Sequence, residues 1–70
     1  MKLKEIREKQ NLSQQALAKR AGVAQSSIHY IESGVKSPTL KVLERLASAL
    51  GVSVADLLGE EIGRRSAREA

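Results

Sequence analysis

At 70 residues and a net charge of +4, the chain has room for one small core, near the lower size limit for folding without covalent staples. It has no Cys and a single His, which excludes a disulfide framework, a thiolate metal site and a multi-histidine metal site on one chain, and fits a reducing compartment. No run of ~18 apolar residues is present to span a membrane, and the start, MKLKEIREKQ, interleaves charges with apolar residues, unlike a secretory signal; the expected location is the cytoplasm.

The expected core residues are Leu, Ile, Val and Ala, with no Phe or Trp and one Tyr. Small aliphatic side chains favour closely packed helices over a β-sandwich, which wants aromatic and β-branched residues at period two. A first helix is predicted from about Lys2 to Lys9, with Leu3 and Ile6 on one face. It should stop near Gln10-Asn11, because Asn tolerates the left-handed conformation that closes helices. Ser13 reads as the N-cap of a second helix, Gln14 to Arg20, burying Leu17, Ala18 and Ala21; its hydroxyl would accept from an unpaired N–H of the next turn. Gly22 supplies a tight turn, where positive φ carries no steric penalty. Helix three is predicted from about Gln25 to Glu32 with Ile28 and Ile31 inward, and Ser33-Gly34 ends it.

The polar loop SGVKSP leads to helix four, capped either by Thr39 or by Ser37 with Pro38 at the first helical position. Leu40, Leu43, Leu46, Ala47 and Leu50 recur at spacings of three and four, the strongest periodic signal in the chain, and Gly51 stops it. SVAD at 53–56 matches a capping box and opens a short fifth helix that ends at Gly59. Beyond it, EEIGRRSAREA has one strong hydrophobe and no stripe. The expected organisation is therefore a domain of residues 1–58 followed by a flexible tail or linker, 59–70. The tail holds three Arg and three Glu, so the whole positive excess lies in the domain. An excess this mild suits polyanions without by itself identifying nucleic acid.

The stretch from Gln14 to Ile31 carries the most specific pattern. Leu17, Ala21, Val23, Ile28 and Ile31 are apolar, Ala18 is small, and Gly22 sits in the turn. Two helices crossing steeply across a tight turn need this arrangement. Extended through LKEIREKQNLSQQALAKRAGV on one side and YIESGVKSPTLKVLERLASALGVSVADLL on the other, it resembles the helix-turn-helix of the phage repressor and Cro family, the XRE-type regulators. The resemblance implies an all-α, compact five-helix bundle of the lambda-repressor-like DNA-binding type, with the helix-turn-helix formed by helices two and three. It also implies that helix three enters the DNA major groove.

With Ile28 and Ile31 inward, the helical wheel points Ser26, His29, Tyr30 and Ser33 outward and leaves Gln25 at the open N-terminal end. These are polar side chains without a fixed charge, able to distinguish base edges where Lys or Glu would mainly feel phosphates. Gln25 and Ser26 match family positions that often read bases; Gln can pair twice with adenine, worth ~1–3 kcal/mol of discrimination. Tyr30 could meet a thymine methyl group or a phosphate, and His29 either kind of partner. The base-reading set is accordingly Gln25, Ser26, His29 and Tyr30. The resemblance makes Gln14, at the anion-attracting start of helix two, a phosphate clamp. It assigns a second phosphate-contacting region to Ser33, Lys36, Ser37 and Lys41. Arg7 and Glu32 match a family pair in which a salt bridge ties helix one to the recognition helix. Glu32 lies near the buried edge, where an unpaired carboxylate would be costly.

Two features depart from the family pattern. Ala24 stands where many members cap helix three with Ser or Thr, and no Arg lies on the groove-facing side to grip a guanine. Few base contacts, supplemented by DNA shape, are expected.

An enzyme is not expected: the ionisable residues are scattered, no glycine-rich phosphate loop is present, and five short helices leave little volume for a pocket. No cofactor, metal or small-molecule ligand is implied. The expected partner is double-stranded DNA and the expected role that of a sequence-specific transcriptional regulator, acting as a homodimer on a palindromic operator with half-sites about one turn (~34 Å) apart. The competing reading is an antitoxin-like or adaptor module that uses the same fold mainly to bind protein. Such a face would more often expose Leu, Met or aromatic anchors. Val52, Val54, Leu57, Leu58 and Ile62 are more hydrophobes than a terminal one-turn helix needs. They could form a self-association face or close the monomer core.

Overall fold

Five helices follow one another in the computed structural model, which describes residues 1–59. They are α1 (Leu3–Lys9), α2 (Gln14–Ala21), α3 (Gln25–Glu32), α4 (Leu40–Leu50) and α5 (Val54–Leu58). There is no strand among the described residues. Helices this short do not persist alone in water, because a costly nucleus is repaid by too few hydrogen bonds. Their stability comes from burying one face each. Every helix contributes one side chain that is less than 2% exposed: Leu3, Leu17, Ile28, Leu46 and Leu57, in order from α1 to α5. Ala18 and Ala21 of α2 and Ala47 of α4 are also buried. α2 packs on both α3 and α4, and α5 joins α4 to α1; the methyl side chains on α2 and α4 allow their backbones to approach closely.

The helix ends obey local chemistry. The Ser13 hydroxyl accepts from the Ala16 N–H at 3.0 Å, and the two-way capping box joins Ser53 and Asp56 at 3.0 and 3.2 Å. Thr39, not Ser37, caps α4, accepting from the Val42 N–H at 3.2 Å, so Pro38 precedes the cap instead of opening the helix. Asn11 and Gly22 take the left-handed conformation, at φ 58° and 71°. There the chain reverses so that the next N–H, of Leu12 or Val23, reaches a carbonyl five residues back, on Arg7 or Ala18.

Several features differ from the sequence expectation or add to it. α1 starts at Leu3 because the Lys2 N–H is turned onto the Leu57 carbonyl at 2.8 Å, pinning α1 to α5. The Gln10 amide donates to the Leu50 carbonyl at 2.7 Å, closing the end of α4 from forty residues away. α2 continues one residue further, to Ala21. Ile31 is only half-buried, at the flank of α3. Leu40 belongs to the apolar stripe of α4 by spacing, yet it is 66% exposed: it is the first helical residue and lies at the edge of the stripe. Leu57 cannot serve a self-association face, since it has no exposed surface and sits in the core. Val52, Val54 and Leu58 are half-buried against that core, while Ile62 and nearly all of the expected tail lie outside the described residues.

Candidate nucleic-acid interface

α3 is held from behind by two kinds of force. Ile28 inserts into the core with no exposed surface. Beside it, Glu32 forms a two-pronged ion pair with Arg7, Nε to Oε2 at 2.8 Å and Nη2 to Oε1 at 3.1 Å. Arg7 is itself 8% exposed and spends a further N–H on the Leu12 carbonyl at 2.7 Å. The Gln14 amide donates to Glu32 Oε1 at 3.0 Å. Four segments are thereby tied together: α1, the α1–α2 loop, the start of α2 and the end of α3. Every buried side-chain polar atom among the described residues has a partner.

Burial pushes the Glu32 carboxyl upward, but hydrogen bonds from Arg7 and Gln14, together with the Arg7 charge, hold it below the ordinary glutamate value. On the other side, the hydrogen bond to Glu32 outweighs burial and raises the Arg7 guanidinium. The pair is ionised on both sides at neutral pH and fixes the orientation of α3 relative to α1.

The face of α3 turned away from these anchors is exposed at Gln25, Ser26, His29, Tyr30 and Ser33. Ala24, the N-cap of α3, is extended and offers no side-chain cap, so the first N–H groups of the helix have no hydroxyl to meet them. His29 and Tyr30 stand side by side, with ring centroids 5.5 Å apart at 60°. The Lys36 ammonium lies 5.3 Å from the centre of the Tyr30 ring. The Tyr30 carbonyl accepts from the Val35 N–H at 2.9 Å, the Lys36 N–H at 3.2 Å and the Ser33 hydroxyl at 3.2 Å. The loop after α3 is thus folded back onto Tyr30.

The phosphate candidates divide into groups. Gln14 and Ser33 line one cleft of about 350 Å³ together with Lys4 and the base-reading candidate His29, and Ser33, Lys36 and Ser37 line a neighbouring one, also with Lys4. Lys41 stands apart from them, lining a groove between α2 and α4 with Arg20 and Arg45. Lys4 was not singled out from the sequence. Its signal lay in its spacing of three residues from Arg7, which places both on one side of α1. The bond from Gln14 to Glu32 left no trace in the sequence, since the two are eighteen positions apart.

Against known proteins, the chain matches the family model described as Helix-turn-helix over residues 3–57. It is 38% identical over 60 residues to the immunity repressor protein of Bacillus phage phi105, covering 86% of this chain and 42% of the repressor. It is 41% identical over 56 residues to an uncharacterised HTH-type transcriptional regulator of Methanocaldococcus jannaschii, covering 80% of this chain and 85% of that one. A solved chain from a complex of SinR protein with SinI protein superposes with a TM-score of 0.80 at 36% identity, over 86% of this chain and 59% of that one. The chain therefore spans less than half of the phage repressor and most of the archaeal regulator. The five helices in order, the tight turn at Gly22 and the family match over residues 3–57 make this chain a member of the XRE-type helix-turn-helix family.

Proposed function

We propose that this chain is a sequence-specific, double-stranded DNA-binding transcriptional regulator that lays the outer face of α3 in the major groove, acting as a homodimer on a palindromic operator in the cytoplasm. The observation that carries this reading is the contrast across α3: a rigidly anchored back, and an exposed front of Gln25, Ser26 and His29 with hydrogen-bonding groups and no fixed charge. Groups of this kind read base edges. Gln14 retains one amide N–H beyond the bond it gives Glu32, and it stands at the start of α2, where free N–H groups attract a phosphate. Lys4, Ser33, Lys36 and Ser37 supply a second set of phosphate partners around the loop after α3, and Lys41 a third at the start of α4. The relatives named as an immunity repressor and as a transcriptional regulator support the same role.

Selection of bound DNA from a random duplex library at two salt concentrations tests this directly. The expected product is a palindrome with half-sites about one turn (~34 Å) apart. On that site Gln25→Ala should lose about 1–3 kcal/mol selectively, whereas Lys36→Ala should weaken all sequences alike and flatten the salt dependence. Recovery of no sequence, with binding gone by about 200 mM salt, would leave charge attraction alone. A protein-binding role is the second reading, favoured by the similar structure being a complex of SinR with SinI. Among the described residues no cluster of His, Cys, Asp or Glu could hold a metal ion, and no helix is long and apolar enough to cross a membrane.

A further inference from the structure

We infer that Tyr30 is a positioning residue for Lys36, holding its ammonium beside the outer face of α3 for a DNA phosphate, and that it is not itself a reader of bases. This inference rests on the DNA-binding reading above. Lys36 is tied to Tyr30 at both ends. Its backbone N–H donates to the Tyr30 carbonyl at 3.2 Å, and its ammonium lies 5.3 Å from the centre of the Tyr30 ring, within the range at which a ring face attracts a cation.

The backbone tether is reinforced. The Tyr30 carbonyl also takes the Val35 N–H and the Ser33 hydroxyl, which fixes the direction in which the loop leaves α3. The imidazole of His29 also packs beside the ring, tilted at 60° with 5.5 Å between centroids. A lysine on a flexible stem otherwise gives up rotamer freedom when it grips a phosphate. Here part of that ordering is already done in the free protein. A ring face engages one side of an ammonium, so its remaining N–H donors stay open to an anion. The aromatic ring is correspondingly occupied, and a base contact from it would require releasing Lys36.

Spectroscopy and binding together test the inference. In the free 70-residue protein, nuclear magnetic resonance should find the Lys36 ε-methylene protons shifted upfield by the ring current. That shift should persist in Tyr30→Phe and vanish in Tyr30→Leu. Tyr30 is 39% exposed, so Tyr30→Leu is expected to fold, and circular dichroism checks it. The binding probe is a short duplex of mixed sequence, titrated between roughly 50 and 200 mM salt. Tyr30→Phe should bind like the parent, and Tyr30→Leu should lose about two- to fivefold, the value of an exposed cation–π contact. Lys36→Met should lose at least as much and lower the salt slope by about one. The double variant should bind no more weakly than Lys36→Met alone.

Additive losses in the double variant would overturn the inference, as would a Tyr30→Phe variant as weak as Tyr30→Leu, which would assign the role to the hydroxyl. An absent ring-current shift in the parent would overturn it independently of DNA. Failure of the parent itself to bind the duplex at the lowest salt is a different outcome: it removes the DNA-binding reading, and this inference with it.

Discussion

The inner side of α3 carries Ile28, with no exposed surface, and Glu32, joined to Arg7 and Gln14 by three hydrogen bonds of 2.8 to 3.1 Å. Its outer side carries Gln25, Ser26, His29 and Tyr30, all exposed. An eight-residue helix is too short to be stable by itself, so the inner side is what makes the outer side a surface of fixed shape. The inner side should accordingly govern folding, while the outer side should be nearly silent in stability and decisive only in binding.

Ile28→Ala tests this division most severely. Truncating a fully buried aliphatic side chain costs about 2–5 kcal/mol, a large part of the ~5–15 kcal/mol of a typical domain; urea unfolding followed by circular dichroism should show it. A loss under about 1 kcal/mol would mean that α3 is not anchored by this side chain. Next in size is Arg7→Met. It leaves the Glu32 carboxylate at the buried edge without its cation, an effect of about 3 kcal/mol when such a pair is well shielded.

The ion pair also predicts how stability responds to acid. Because the folded-state value of Glu32 is lowered, the unfolded chain binds its proton more readily than the native one. The stabilisation is complete above the ordinary glutamate value. It is lost as pH falls through the lowered folded value. Urea midpoints between neutral pH and pH ~3 should fall more steeply for the parent than for Glu32→Gln, which has no proton to gain at that position.

A smaller effect of opposite sign belongs to the seam between the two sides. α3 has Ala24 at its N-cap and no side-chain cap, whereas α2, α4 and α5 have Ser13, Thr39 and Ser53. Ala24→Ser should stabilise by about 1 kcal/mol, read as a raised melting temperature. Smallest of all should be Ser26→Ala on the outer face, within about 0.5 kcal/mol of the parent. A larger stability change there would break the contrast between the two sides.

Much of this contrast was legible in one dimension. The spacing of Leu17, Ala18, Ala21, Ile28 and Ile31 placed two helices around Gly22 and assigned their inner faces, and the Arg7–Glu32 pair followed from the family resemblance. Tyr30 and Lys36 were both singled out, but as separate contacts with DNA. Their mutual contact depends on the loop turning back over α3 through the Tyr30 carbonyl, and no periodicity encodes that.

Sequence alone determined the helices, their stops at Asn11, Gly22, Gly34 and Gly51, and the caps at Ser13 and Ser53. Those features are decided within a turn or so of chain, by 3.6-residue periodicity and by side chains that reach their own backbone. Tertiary structure decided the rest: Leu40 left in solvent, Leu57 taken into the core, Gln14 bonded to Glu32, and Lys41 parted from Lys36. A side chain's own chemistry says what it can bond to or bury, but which neighbour covers it is set by elements far away in sequence.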